Sequence, residues 1–394
     1  MTGIMYLSHP GAFGYAEAAR RYIVGLAHAG VPVTWTPVVP TNAAGTEFDL
    51  FKGAGIGDRR LDPFCNRQIP YDTVVIHVLP RAVSDCLRRI SARTVAGYVT
   101  WDTNRLPDGW TELYGAFDSI MVPCAWNQTI FQRGGMRMPV HVVPHLFAAP
   151  APEYDSFSSR EKQDEFVFYT IGSWTLRKGT AEVVDAYLKA FTNSDNVKLI
   201  IKTDAVKISG GSALRSSARR ALERIRRSFG LPAAEIIPPE TKVNAALRKH
   251  PQAPKIELLM GEISGENIGQ IHKKGDCFVS LTKGEAWGLG AFDAAGYGKP
   301  VIITGIGGPL DYLTADSAYL LDYRLKRVRD NSVKEWAAPG HYWAIPDPEQ
   351  AARTMRHVFT HRQEAFQKGG ISRNRIIENF GEQTVIQRML KALA

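Results

Sequence analysis

Gly284-Glu285-Ala286-Trp287-Gly288-Leu289-Gly290-Ala291-Phe292-Asp293-Ala294-Ala295-Gly296-Tyr297-Gly298-Lys299-Pro300-Val301-Ile302-Ile303 decides how this chain is read. An apolar run over 277–281 leads into it, so the order is strand, glycine-rich loop, helix, tight turn, strand. Gly284, Gly288 and Gly290 allow backbone to approach a ligand with no Cβ in the way. The short apolar helix over 291–297 has unpaired N–H groups at its start, and these form an anion site. Glu285 and Asp293 lie eight residues apart, one on the loop and one in the first turns of the helix. Two such carboxylates can hold two polyhydroxylated groups of one ligand while the helix end receives a phosphate between them.

Working outward, the same alternation recurs. Strands are predicted over 3–8, 31–39, 73–78, 94–100, 119–122 and 140–143, with helices over 16–29, 81–91 and 126–133. Residues 40–70, rich in Gly, Asn, Pro and Asp, read as a long irregular excursion. Pro144, Pro150 and Pro152 with the polar run 155–164 read as a linker. The pattern restarts with strands over 166–171, 197–202, 256–260 and 318–321, and helices over 180–191, 212–229, 264–272, 348–360 and 371–393. Alternating strands and helices imply parallel sheets covered on both faces. The expected division is 1–150, a linker 151–165, a second α/β unit 166–370 and a final helix 371–394 returning to the first unit. Ligands of such sheets bind outside the carboxyl ends of the strands, so the cleft between the units is the expected site.

The 394 residues suffice for two cores. Hydrophobic residues make up 44% and charged residues 22%, the balance of a soluble globular protein. Cys65, Cys86, Cys124 and Cys277 are scattered in apolar runs without metal-ligand spacing and read as buried thiols in a reducing compartment. No leader pattern opens the chain, and no run reaches membrane-span length, so the expectation is a cytoplasmic protein. The net charge of +9 is concentrated: residues 198–255 carry 13 Lys or Arg against 4 Asp or Glu. Six of these 13 cations, all arginines between 215 and 227, fall on the predicted helix 212–229. That helix reads as a solvated face, or as a contact for an anionic membrane surface at the inner face or for nucleic acid.

The segment from Gly284 to Val301 resembles the signature of the family 4 retaining glycosyltransferases, in which Gly-Glu-x-Phe/Trp-Gly-Leu opens an acidic–seven–acidic motif that ends in Gly-x-Pro-Val. Asp293 stands where that family usually has Glu, and Gly290 where Pro is common. Gly172-Ser173-Trp174-Thr175-Leu176-Arg177-Lys178-Gly179 resembles the family's Gly-Arg-x-x-x-x-Lys-Gly loop, with Ser173 in place of Arg. Trp101-Asp102-Thr103 is similar to the acceptor side of a bacterial subgroup acting on surface polysaccharides, where Glu-Thr is usual. Trp343 to Pro348 is similar to a segment that precedes the last helices. The resemblance implies the GT-B fold, two Rossmann-like α/β/α domains facing across a cleft, with the C-terminal helices packing back toward the N-terminal domain.

It also implies site roles. Lys178, with Arg177 beside it, would face the departing diphosphate. Gly172 and Ser173 would border it. Glu285 would hold sugar hydroxyls, the N–H groups of Ala286, Trp287, Gly288 and Leu289 would hold sugar and phosphate, and Asp293 would hold the ribose. Gly14, in the first loop, would approach the diphosphate or acceptor. Asp102 would lie on the acceptor side as a base or orienting group. The partners implied are a nucleotide-sugar donor and a sugar, lipid-linked or polymeric hydroxyl acceptor. No Asp-x-Asp pair or His/Cys cluster is present in the sequence, so neither a metal nor another cofactor is expected. His9, His77 and His145 read as structural. Competing readings are transfer to hydroxymethylated phage-type DNA, a sugar-nucleotide epimerase or phosphorylase, and a non-catalytic sugar-nucleotide-binding protein.

Overall fold

The computed structural model describes all residues except 12, 44, 149–164, 205–238, 262–264 and 331–338. The basic helix expected over 212–229 and nearly all of the linker expected over 151–165 lie outside the described residues.

The first sheet is built from β1 (Ile4–Ser8), β2 (Val33–Pro40), β3 (Phe48–Leu50), β4 (Thr73–His77), β5 (Thr94–Tyr98), β6 (Ser119–Val122) and β7 (Val140–Val142), in the order β3-β2-β1-β4-β5-β6-β7. Every pairing is parallel except β2 with β3, where Val38 faces Leu50. β4 and β6 are buried along their whole length, as strands covered on both faces must be. The connecting helices are α1 (Gly14–His28), α2 (Pro80–Leu87), α3 (Trp110–Leu113) and α4 (Ala125–Arg133).

The second sheet takes β8 (Phe166–Ile171), β9 (Val197–Thr203), β10 (Lys255–Met260), β11 (Cys277–Ser280), β12 (Val301–Thr304) and β13 (Tyr319–Leu321), all parallel, in the order β10-β9-β8-β11-β12-β13. Its helices are α5 (Thr180–Ala190), α6 (Pro239–Arg248), α7 (Gly265–Lys274) and α8 (Leu289–Gly296). An antiparallel ribbon of β14 (Tyr323–Arg327) and β15 (Tyr342–Pro346) follows, and three helices close the chain: α9 (Pro348–Thr360), α10 (Arg362–Phe380) and α11 (Glu382–Leu393). No described helix is long and apolar enough to cross a membrane.

Three expectations need correction. The excursion 40–70 is not wholly irregular. It returns as β3 on the sheet edge, and Asn66 ties its far end back, its side-chain amide donating to the carbonyls of Phe51 and Gly53. The last helix does not begin at 371. Helix starts at Arg362 and breaks at Gly381, whose backbone is extended, so two helices turn against each other. The ribbon β14–β15 and the helices α3 and α6 were not foreseen, because each is short or weakly apolar.

The break at Gly381 places α11 on the first domain. Val385, Ile386, Met389 and Leu393 are buried in one core with Tyr22, Ile23 and Leu26 of α1. Gly25 of α1 leaves room for Ile386, which any Cβ there would crowd. The Phe147 N–H donates to the Phe380 carbonyl at 2.8 Å.

His77, His145 and His272 are buried core residues. Burial, with the positive charge of Arg21 nearby, pushes His145 down to about 3. Burial pushes His272 down to about 4 against the opposing pull of Asp293, and holds His77 well below the usual range. A histidine whose folded pKa lies below its unfolded value of about 6.5 contributes full stability above that value and loses it as pH falls. Stability to urea is therefore expected to decline between pH 6.5 and 5, by at most about 1.4 kcal/mol per pH unit for each of these histidines, and His145→Phe should flatten the decline. Met389→Ala is expected to cost about 2–5 kcal/mol by the same measurement, while the exposed Lys391→Ala stays within about 0.5 kcal/mol.

Candidate active site

The carboxyl end of β11 delivers the loop 281–288. Its backbone is anchored on all sides: Lys283 N–H donates to the Arg177 carbonyl at 2.8 Å, Ala344 N–H to Lys283 O at 2.8 Å, and Gly308 N–H to Glu285 O at 2.9 Å. Gly288, with φ of 82°, starts α8 in the left-handed region, and a Cβ there would press on the Glu285 side chain. The loop is thus preset before any ligand arrives.

Four charged side chains meet at this loop. Glu285 accepts from Lys178 Nζ at 2.5 Å and lies 3.6 Å from Arg177 Nη1. Arg177 donates to the Gly284 carbonyl at 2.7 Å and reaches Asp102 at 3.3 Å through Nη2. Asp102 Oδ1 accepts the N–H of Ala286 at 3.1 Å. Asp102 comes from the segment after β5, and the other three come from the second domain. The approach is close enough that a Cβ on Gly284 would run into the Asp102 carbonyl oxygen.

The segment around Asp102 is locked from both domains. Trp101 and Asn127 exchange two hydrogen bonds, the Tyr342 N–H donates to Asn104 Oδ1 at 2.7 Å, and Thr103 Oγ1 lies 2.7 Å from His341 Nδ1. Burial raises the Asp102 carboxyl above its ordinary value, and repulsion from Glu285 adds to this against the pull of Arg177 and Lys178. Burial also pushes Glu285 upward, but Lys178 and Arg177 outweigh it and hold Glu285 below the usual range. The pair therefore divides its roles: Glu285 is the anion, and Asp102 is the carboxyl more ready to hold a proton.

The remaining expected site residues separate into two groups. Gly172 lies beside Lys178, and Gly14 begins α1 against Leu289, which begins α8. Neither helix start has a side-chain cap, so two sets of unpaired N–H groups open side by side. A small cavity under the start of α8, lined by Gly172, Lys178, Thr180, Ser280, Glu285 and Gly288, lies at the carboxyl ends of β8 and β11.

Ser173 is turned to Asp204, donating at 2.6 Å. The Trp287 side chain faces the core, edge-on to His145 at 5.6 Å and close to Tyr312 and Phe380, so only its backbone belongs to the loop. Asp293 faces the first domain. Both its oxygens accept from Arg21 of α1, at 2.8 and 2.7 Å. Arg21 was not foreseen. The available signal is the pair Arg20-Arg21 within an otherwise apolar helix face.

No protein-family model and no curated protein matches the chain by sequence. Solved structures do match over the full length. HepE of Anabaena, solved with UDP-glucose, aligns over 99% of this chain and 99% of its own, with a TM-score of 0.63 at 13% identity. Sucrose-phosphate synthase of Thermosynechococcus elongatus aligns over 99% and 98%, with a TM-score of 0.61 at 14% identity. A glycosyltransferase of Rickettsia africae aligns over 99% and 97%, with a TM-score of 0.62 at 12% identity. The chain has the GT-B fold. In GT-B terms, loop 281–288 and α8 belong to the second Rossmann-like domain, and Gly14, Arg21 and Asp102 belong to the first.

Gly284→Ala is expected to force Asp102 and the loop apart and to destabilise the protein by about 1–3 kcal/mol in urea unfolding. Gly305→Ala, whose Cβ meets only ordinary contacts, should change stability by less than about 1 kcal/mol.

Proposed function

We propose that the chain is a retaining, metal-independent glycosyltransferase that moves a sugar from a nucleotide-diphosphate donor to a hydroxyl acceptor in surface polysaccharide or glycolipid synthesis. The observation that carries this reading is the Lys178–Glu285–Arg177–Asp102 cluster, which sits where the two domains meet, beside two adjoining uncapped helix starts. HepE, whose fold this chain shares, was solved with UDP-glucose, and that supports a donor of the same class. The reading takes 1–150 as the acceptor half, 166–370 as the donor half and 371–394 as the return segment.

Sugar transfer breaks the C1–O bond to the diphosphate, and the electron pair leaves on the phosphate oxygen. The acceptor oxygen forms the new bond to C1, and its proton passes to the departing phosphate. Lys178 and the N–H groups at the starts of α1 and α8 neutralise the charge growing on that phosphate, which is the largest electrostatic demand of the step. A protein cation in that position does what a bound metal does in other sugar transferases. Glu285, released from Lys178 as the phosphate takes its place, accepts hydrogen bonds from the sugar hydroxyls. Asp102, already held by Ala286 and Arg177, orients the acceptor side.

Lys178→Ala and Glu285→Ala are each expected to lower kcat by roughly 10²–10³ or more, with unchanged circular dichroism. EDTA should leave turnover intact, and NMR of the product should show the donor's anomeric configuration retained. Full activity in either variant overturns the site. Thermal shifts against UDP-, GDP-, ADP- and dTDP-sugars identify the donor base, since a ligand at 100 times its Kd adds about 2.7 kcal/mol.

A further inference from the structure

Asp293 holds the second carboxylate position of the donor helix, yet its two oxygens are both taken by one guanidinium. Arg21 Nη1 and Nη2 donate to Oδ1 and Oδ2 at 2.8 and 2.7 Å, a bidentate geometry that few carboxylate pairings exceed in strength. Both side chains retain only 10% of their exposure. Arg21 is itself held: Nε donates to Glu17 at 3.2 Å and Nη1 to the Leu146 carbonyl at 3.3 Å. Glu17 is shared with Arg20 and with Arg60 at 3.1 Å, and Arg20 Nη2 lies 2.7 Å from Asp58. One continuous row of charges therefore runs from the excursion around residue 60, through α1, to α8 of the other domain. The residue type fits this arrangement, because an aspartate is one methylene shorter than a glutamate and keeps its carboxylate close to the helix, against α1.

We propose that Asp293 is an interdomain positioning residue, paired with Arg21, and that the ribose of the donor is not its ligand. The pair fixes α1 against α8, and so sets the first-domain helix start and the excursion relative to the donor loop. Arg21 is then as much a part of the working site as Lys178, although it touches no substrate. A buried pair of this kind destabilises the protein when one partner is removed, and is tolerated when both are replaced by apolar groups.

The proposal rests on the donor-site reading only where nucleotides are concerned, so two arms are measured on the full chain. In the first, the thermal midpoints of Arg21→Met, Asp293→Asn and the double variant Arg21→Met/Asp293→Leu are compared. Each single variant should melt several degrees lower, and the double variant should recover most of the loss. Additive losses overturn the pairing. In the second, calorimetry compares UDP, GDP and ADP, and then the 2′-deoxy and 3′-deoxy forms of whichever binds. Wild type and Asp293→Asn should both bind ribo and deoxy forms within about threefold, since a carboxylate bond to a ribose hydroxyl would be worth roughly tenfold or more. Arg21→Met and Asp293→Asn should lower kcat together at nearly constant donor KM. A ribonucleotide preference of about tenfold or more that Asp293→Asn abolishes and Arg21→Met leaves intact would make Asp293 a ribose ligand and overturn the proposal. If no nucleotide binds wild type, the donor reading fails, and the melting comparison alone decides the pairing.

Discussion

Charge pairing across the domain boundary is the constraint on which the rest of this structure depends. Two carboxylates and two arginines cross it in opposite senses: Asp102 of the first domain meets Arg177 of the second, and Asp293 of the second meets Arg21 of the first. Each charge is buried enough that leaving it unpaired would cost several kcal/mol. Removing one partner of either pair therefore works against this arrangement of the two domains. The glycines serve the same end: Gly284 lets the Asp102 backbone approach, and Gly25 lets α11 seat on α1.

The site inherits its electrostatics from this arrangement. Glu285 remains an anion because Lys178 and Arg177 stand over it, while burial and Glu285 together raise Asp102. The cations that a diphosphate would need are present and already engaged. On the proposed reading, donor binding would be an exchange of partners, with Lys178 leaving one oxyanion for another, and that exchange would avoid desolvating a bare ammonium. Two uncapped helix starts, at Gly14 and Leu289, add dipoles that cost no reorganisation.

Much of this was legible in the residue order. The alternation of apolar runs with helix-compatible segments dictated two parallel sheets, and the spacing of Gly284, Glu285, Gly288 and Asp293 placed a loop and helix start at a strand end. Local chemistry settles such features, because strand, turn and helix start depend on neighbours within about ten residues. The fate of 40–70 was not legible: β3 is three residues long and is held by its edge pairing with β2, and Asn66 acts through contacts 13 and 15 residues away. The break at Gly381 was also hidden, since an extended glycine between two helical patterns acquires its direction only from the core that α11 enters.

By itself, then, the sequence determined most of the longer elements, the existence of two sheets and the position of the glycine-rich loop 281–288. These follow from periodicity, glycine placement and side-chain chemistry at short range. Only the tertiary structure decided what each charged group does. Lys178 lies 107 residues from Glu285, Asp102 lies 184 from Ala286, and Arg21 lies 272 from Asp293. No local rule selects those partners among 48 Lys or Arg and 39 Asp or Glu. The selection is made by the way α1, α8 and α11 pack, because burial makes a charge's partner matter and only the assembled core defines what is buried.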